Sequence, residues 1–478
     1  MEFKKELIPL AVVLGIGLYS VWPMVTDSNL VPAVSSDSGL IAWIMHQPIW
    51  SFAGNNFYPY KNVLAYSDMH KLSALVSGGQ FATSLVYGQL ATMLVVYLWW
   101  KKWFKNNWAA AVAAIALGLA QFRWEYKVHL QMWNMQYWLL ASWLIISGLG
   151  GKWRRLYLGA VLLGLQFYES PLPVYFAAAA LCLWILVFRP KFSRHWVLAA
   201  LLAAAVWWPA AGAYLGVSRE FNFVRDIREA AHISLSLDEL SGRFFSPGLF
   251  VLLILALFKL DWSSRRVKFL ALTGVLGLVM ALGPVFKWQD RTVRVFGRPI
   301  PLPYAVAYYV VPGWKAFRVP SRWLWVSIWA ASGLIAAGLA GRKQSDSNWY
   351  RWGLAMAAVV AVAGGTRLSY TRPLPLQIPA VYLWLKDQPG RVVLELPVFN
   401  IPHEAFEVER MYFSLYHGKM LVNGYSGFIP PLVDKLVSDP LPNIPAGTDY
   451  VIDHNSSVSV PGKVVYHDRN STVYKLDN

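Results

Sequence analysis

Apolar runs close to bilayer length recur along this chain, and tight clusters of Lys and Arg separate them. A helix crosses the hydrocarbon layer with about 20 apolar residues. On that measure about eleven spans are expected: 7–25, 81–100, 108–122, 129–149, 156–169, 172–188, 196–216, 247–260, 267–286, 323–341 and 351–365. Lys4 and Lys5 precede the first run, and basic clusters follow every second run after it: Lys101, Lys102 and Lys105; Lys152, Arg154 and Arg155; Arg189, Lys191 and Arg194; Lys259, Arg265, Arg266 and Lys268; and, bordering the loop after the tenth, Arg342, Lys343 and Arg351. The positive-inside rule assigns these loops and the N-terminus to the cytoplasm. Most of the net charge of +17 is thereby a topology signal, and no nucleic acid is implied.

Composition agrees. Charged residues make up 14% of the 478, too few to coat a water-facing surface of this size. The single Cys182 excludes an internal disulfide. Most of the 25 Trp are expected in belts at the membrane interface. The expected fold is mostly α: a polytopic membrane helix bundle over 1–366 and a small extracytoplasmic α/β domain over 367–478. In the latter, Val392–Leu396, Met420–Asn423, Tyr450–Asp453, Lys463–His467 and Thr472–Leu476 read as strands, and Ala380–Asp387 and His403–Tyr416 as helices. The expected location is the plasma or inner membrane.

The long outer loops carry the residues with chemistry. In 26–80, Asp27 follows the first run, and Ser36-Asp37-Ser38 precedes Leu40, Ile41, Ile44 and Met45. That spacing predicts a short helix lying in the interface, capped by Asp37 or Ser38. A carboxylate there also suits a general base over a lipid-borne substrate, with Asp27 as the second candidate. Before the tenth run, Arg318-Val319-Pro320-Ser321-Arg322 sets two guanidiniums at a helix start, on the side that should be poor in cations. Helix dipole, free amides and guanidinium forks together suit a phosphate. Arg123, Glu125, Lys127 and His129 occupy one outer turn and Glu169 another. Arg123 with Glu125, or Lys127 with Glu169, would pair, or would line the same cavity as Asp37. No P-loop, G-x-S-x-G or H-E-x-x-H occurs, and the nine His are scattered, so no metal site is indicated.

These segments in order resemble bacterial and archaeal integral-membrane glycosyltransferases of the GT-C class, relatives of the protein mannosyltransferases and aminoarabinose transferases. The likeness runs through the acidic first loop, Asn56-Phe57-Tyr58-Pro59, His129, Leu302-Pro303-Tyr304 to Pro312-Gly313-Trp314, Phe317 to Arg322, and Val422-Asn423-Gly424-Tyr425-Ser426-Gly427. It implies transfer of a sugar from a polyprenyl-phosphate donor to a glycan, lipid or protein acceptor on the outer face. Asp37 matches the family's first-loop base, although the paired acid of some members is absent here. The resemblance implies donor-phosphate contacts by Arg318, Arg322, Arg123 and Lys127. It implies substrate contacts by Glu125, His129, Glu169, Tyr58 and His70. A phosphate leaving group needs no proton, so one carboxylate to deprotonate the acceptor and one set of cations suffice, with inversion at C1. The sequence leaves open whether a divalent cation takes part. A transporter or flippase of lipid-linked sugars, a glycan polymerase or ligase, and a non-catalytic glycan-binding protein are the alternative readings.

Overall fold

The computed structural model describes residues 2–32, 36–239, 247–340, 371–373, 377–456 and 458–477. The chain is mostly helical and forms two compact units. The first comprises Met1–Thr26, Leu85–Trp207 and Phe223–Ser369. The second comprises Asp27–Ser84, Trp208–Asn222 and Tyr370–Asn478.

The first unit is a helix bundle. Helix Leu324–Ala340 is buried along nearly all of its length and packs on Asn107–Gly118, Pro247–Leu257 and Arg265–Ala281. Two glycines permit this closeness. A Cβ on Gly277 would stand 2.4 Å from Ser327 Oγ, and one on Gly338 would stand 2.7 Å from Ala256 Cα. Tryptophan fills the interior. Trp99, Trp100, Trp138 and Trp329 are buried, Trp99 and Trp329 lie 4.9 Å apart, and Trp100 Nε1 donates to Ser332 Oγ at 3.0 Å. The interfacial belt expected for most Trp is thus corrected for these residues. Their large apolar area is used inside the bundle, where Trp N–H groups need partners.

Three described helices are long and apolar enough to cross a membrane: Phe81–Phe104, Arg194–Phe221 and Pro320–Ala340. The expected count of about eleven is corrected accordingly. Helices Trp153–Glu169, Leu172–Phe188 and Arg265–Ala281 have 17 residues each, a rise of about 26 Å, short of a hydrocarbon layer of about 30 Å. The run 129–149 divides at Asn134 into Leu130–Trp133 and Gln136–Gly148. The runs 108–122 and 247–260 give helices of 12 and 11 residues. The run 351–365 lies outside the described residues.

The second unit is built on a five-stranded sheet in the order Lys463–His467, Thr472–Lys475, Tyr450–Asp453, Val392–Leu396 and Met420–Leu421. The last three strands are parallel to one another, and the hairpin of the first two adds antiparallel. Helices Ala380–Lys386 and Glu404–His417 cover it.

The first long loop enters this unit's core. Helix Asp37–His46 is buried from Ser38 to Met45, and Leu40, Trp43 and Ile44 pack with Val381, Leu385, Val393, Val408 and Ile452. The interfacial position expected for this helix is therefore corrected: its apolar stripe meets the sheet domain. Segment 55–58 ties in beside it, with Leu421 N donating to Asn55 O at 2.7 Å and Tyr58 N to Leu421 O at 2.8 Å. Strand Leu30–Pro32 pairs antiparallel with Thr371–Pro373. Thus the boundary expected at 366/367 separates residues that close one hydrophobic core with the first loop.

Candidate functional sites

Within the first unit, the turns singled out by sequence gather around 303–323. Tyr126 OH lies 3.1 Å from Ser321 Oγ, between the two expected phosphate ligands. Tyr175, just after the Glu169 turn, donates to Pro312 O at 2.7 Å, and its ring meets Phe317 at 5.1 Å. From the third loop, Arg225 N donates to Lys315 O at 2.9 Å, and Tyr308 OH donates to Arg225 O at 2.6 Å.

Arg318 pairs with Glu229 at 3.2 Å, and Arg225 reaches the same oxygen at 3.5 Å. Arg322 stands close enough to Tyr304 for its charge to act on the phenol, and its Nε is buried with no hydrogen-bond partner among the described residues. Lys127 donates weakly to Trp124 O at 3.4 Å; burial lowers its pKa and Glu125 partly restores it. His129 precedes helix Leu130–Trp133 and stands 5.4 Å from the Tyr126 ring. Glu169 ends helix Trp153–Glu169 fully buried, and Glu125 is exposed.

Arg123 has a different setting from the phosphate contact expected. It is fully buried, with its guanidinium 3.9 Å from the centroid of Trp133. Nη1 donates to Gln89 Oε1 and Gly118 O; Nη2 donates to Gly88 O and Trp133 O. Its terminal donors are therefore met by protein oxygens from three segments. Burial pushes its pKa down to about 9, so it remains a cation at neutral pH.

The expected carboxylates belong to the second unit. Asp37 opens helix Asp37–His46; its position is the first turn, and Ser36 is the N-cap without a side-chain capping bond. Ser36 Oγ reaches Glu404 Oε1 at 3.4 Å instead. The cap expected from Asp37 or Ser38 is corrected on this point. Asp27 accepts the Asn29 N–H at 2.9 Å and closes a local turn. Tyr58 OH donates to Ala446 O at 3.2 Å, and His70, buried with left-handed backbone, precedes helix Lys71–Ser77.

The second unit also holds a buried polar group that sequence reading missed. Glu395, fully buried at the carboxyl end of its strand, accepts from Tyr382 OH at 2.7 Å and faces His454 Nε2 at 2.8 Å. His454 Nδ1 meets Ser471 Oγ at 2.9 Å. Arg410 lies 3.0 Å from Glu407 and 3.5 Å from Glu395 and donates to Pro397 O at 2.7 Å. Burial works to raise the Glu395 pKa, but the His454 hydrogen bond and the charges of His454 and Arg410 hold it below the usual range. Glu407, where burial prevails over Arg410, is raised. Each residue is ordinary in its local sequence. They meet through strand register, since Thr472 pairs with Asp453 and so sets Ser471 beside His454.

Among the described residues no group of three His, Cys, Asp or Glu is arranged to hold a metal ion. No protein-family model matches the chain, and no curated protein shows significant similarity to it.

Proposed function

We propose that this protein is a polytopic membrane glycosyltransferase that moves a sugar from a polyprenyl-phosphate donor to an acceptor hydroxyl on the outer face. The reading is supported by the cation-rich cluster of the first unit. There Arg225 and Arg318 both reach the carboxylate of Glu229, beside Arg322 at the start of the apolar helix Pro320–Ala340. A group of guanidiniums at the end of a candidate membrane span suits a phosphate carried on a lipid. The alternation of basic loops supports a cytoplasmic N-terminus and an extracytoplasmic sheet domain.

In this mechanism Asp37 removes the proton of the acceptor hydroxyl, the oxygen attacks C1 in line, and the bond from C1 to the phosphate oxygen breaks. Arg318 and Arg322 stabilise the phosphate that leaves, and the configuration inverts. Arg318 exchanges Glu229 for the donor, and Arg322 brings its unused Nε–H. Arg123 shapes the turn that presents Tyr126 and Lys127.

Purified protein in proteoliposomes tests the proposal, with a radiolabelled polyprenyl-phosphate sugar. Asp37→Asn should reduce transfer at least 100-fold, within the usual range for loss of a general base, and leave donor affinity within about twofold. Arg318→Ala should weaken donor binding roughly tenfold or more, the scale of a charged hydrogen bond. A transporter would move the donor across the bilayer in the Asp37→Asn protein as well as in wild type. Normal transfer by Asp37→Asn, or unchanged affinity in Arg318→Ala, contradicts the assignment.

A further inference from the structure

A cavity of about 340 Å³ opens in the second unit, beside the polar group of Glu395, Arg410 and His454. It lies past the carboxyl ends of the parallel strands Val392–Leu396 and Tyr450–Asp453, the place where open sheets with parallel strands commonly receive ligands. Its volume is at the lower end for small-molecule pockets, which begin near 300 Å³, and suits one ring better than a chain.

The walls are of two kinds. Phe399 and Phe406 stack at 4.8 Å with planes 29° apart, and Phe406 keeps 53% of its surface exposed. Tyr382 and Phe413 stack at 4.8 Å and 26° elsewhere in the lining. Facing groups are polar: the half-buried Glu409, Arg410, His454, Ser471 and the exposed Asn470, so that a carboxylate and a guanidinium both border the space. Neither Arg410 Nη2 nor the side-chain amide of Asn470 has a hydrogen bond among the described residues, while the Asn470 backbone N–H donates to Asp468 Oδ1 at 2.8 Å. Both ring nitrogens of His454 are engaged, which fixes the ring and the Ser471 hydroxyl beside it.

Charge limits the ligand. Glu395 and Glu407, both fully buried, already answer Arg410. The pocket therefore offers no spare cation to an anion, and a cationic ligand would meet the guanidinium of Arg410. What remains is a neutral ligand with an apolar face and a rim of hydrogen-bonding groups. A pyranose has this form: C–H bonds cluster on one face and hydroxyls ring its edge. The exposed ring of Phe406, backed by Phe399 and the Arg410 guanidinium 5.1 Å from the Phe399 centroid, suits the first, and planar donors such as guanidinium and amide suit the second.

We propose that this pocket binds one neutral sugar residue, stacked on Phe406 and Phe399 and hydrogen-bonded by Arg410, Asn470 and Ser471. Such a site recognises glycan without carrying out chemistry on it. It stands apart from the transfer reaction, since none of its residues belongs to the proposed transfer machinery.

Saturation-transfer NMR on the full chain in lipid nanodiscs tests it, with methyl glycosides of glucose, galactose, mannose and N-acetylglucosamine as probes. At least one glycoside should receive saturation, most strongly at the ring protons of one face. Phe406→Ala should weaken that glycoside about tenfold, the effect of one lost aromatic contact. Asn470→Ala should weaken it roughly threefold, and both positions are exposed enough to leave the fold intact. Asp37→Asn should bind it as wild type does, so that loss of transfer and loss of this site are read separately. Absence of saturation in every glycoside overturns the proposal. So does saturation that survives both Phe406→Ala and Asn470→Ala unchanged, because the sugar then sits elsewhere.

Discussion

His417 ends helix Glu404–His417, with its ring stacked 5.9 Å from Tyr382 and its Nδ1 accepting the Lys419 N–H at 3.1 Å. Burial pushes its pKa down to about 4; the charge of Glu395 opposes that shift and Lys419 adds to it. A depressed folded-state pKa means that the neutral ring supports the fold fully above the unfolded value of about 6.5. That support fades as pH falls through 6.5 towards 4, a contribution on the order of 3 kcal/mol. Glu395, also depressed, acts in the same direction at lower pH. The protection of amides in strand Val392–Leu396, taken against the intrinsic exchange rate at each pH, should therefore fall between pH 6.5 and 4.5. The change should be smaller in His417→Phe, which keeps a ring over Tyr382 and cannot titrate. An equal fall in protection in both proteins contradicts this role. None of it is legible in the sequence, where His417 is one of nine scattered His. Its environment comes from a sheet that joins 382, 395 and 419 only when folded. Arg318 and Arg322 were legible for the opposite reason: their peculiarity is local, a pair of cations set against a helix start.

Helix Asp37–His46 shows how an apolar stripe misleads when its partner is distant in sequence. Leu40, Ile41, Ile44 and Met45 define one face, and a membrane surface or a protein core satisfies that face equally. The core prevails because Trp43, outside that four-residue stripe, is only 2% exposed and its Nε1 donates to Asn55 Oδ1 at 3.0 Å. Asn55 in turn donates to Ser414 Oγ at 2.8 Å on the helix that covers the sheet. Trp43→Ala should cost the second unit roughly 3–5 kcal/mol, the range for removing a buried aromatic. Loss of protection in Val392–Leu396 would be the readout, and a change below about 1 kcal/mol would return the helix to the interface. The strands Val392–Leu396 and Tyr450–Asp453 were legible because short runs of β-branched and apolar residues between turns admit few other forms. Apolar helices of 11 to 17 residues were not separable from membrane spans by hydropathy alone, because the side chains of a buried helix and of a lipid-facing helix are equally apolar.

At the scale of the molecule, the second unit is assembled from three stretches of chain, and its core includes side chains of the first long loop. Residues 370–478 alone lack Leu40, Trp43, Ile44 and Leu64 from that core. Expressed by themselves they should form an expanded, protease-sensitive state without a cooperative thermal transition, and covalent addition of 27–84 should restore the transition. Cooperative unfolding of 370–478 alone contradicts this. The proposed reaction imposes a stricter demand, because its base and its phosphate ligands come from different units. A polyprenyl-phosphate sugar with a photoactivatable group on the sugar, bound to the full chain in nanodiscs, tests that demand directly. Mass spectrometry of the crosslinked protein should find label in both 27–84 and 303–323, and excess unlabelled donor should remove it. Label confined to one of these segments, or found only outside them, contradicts the proposed site.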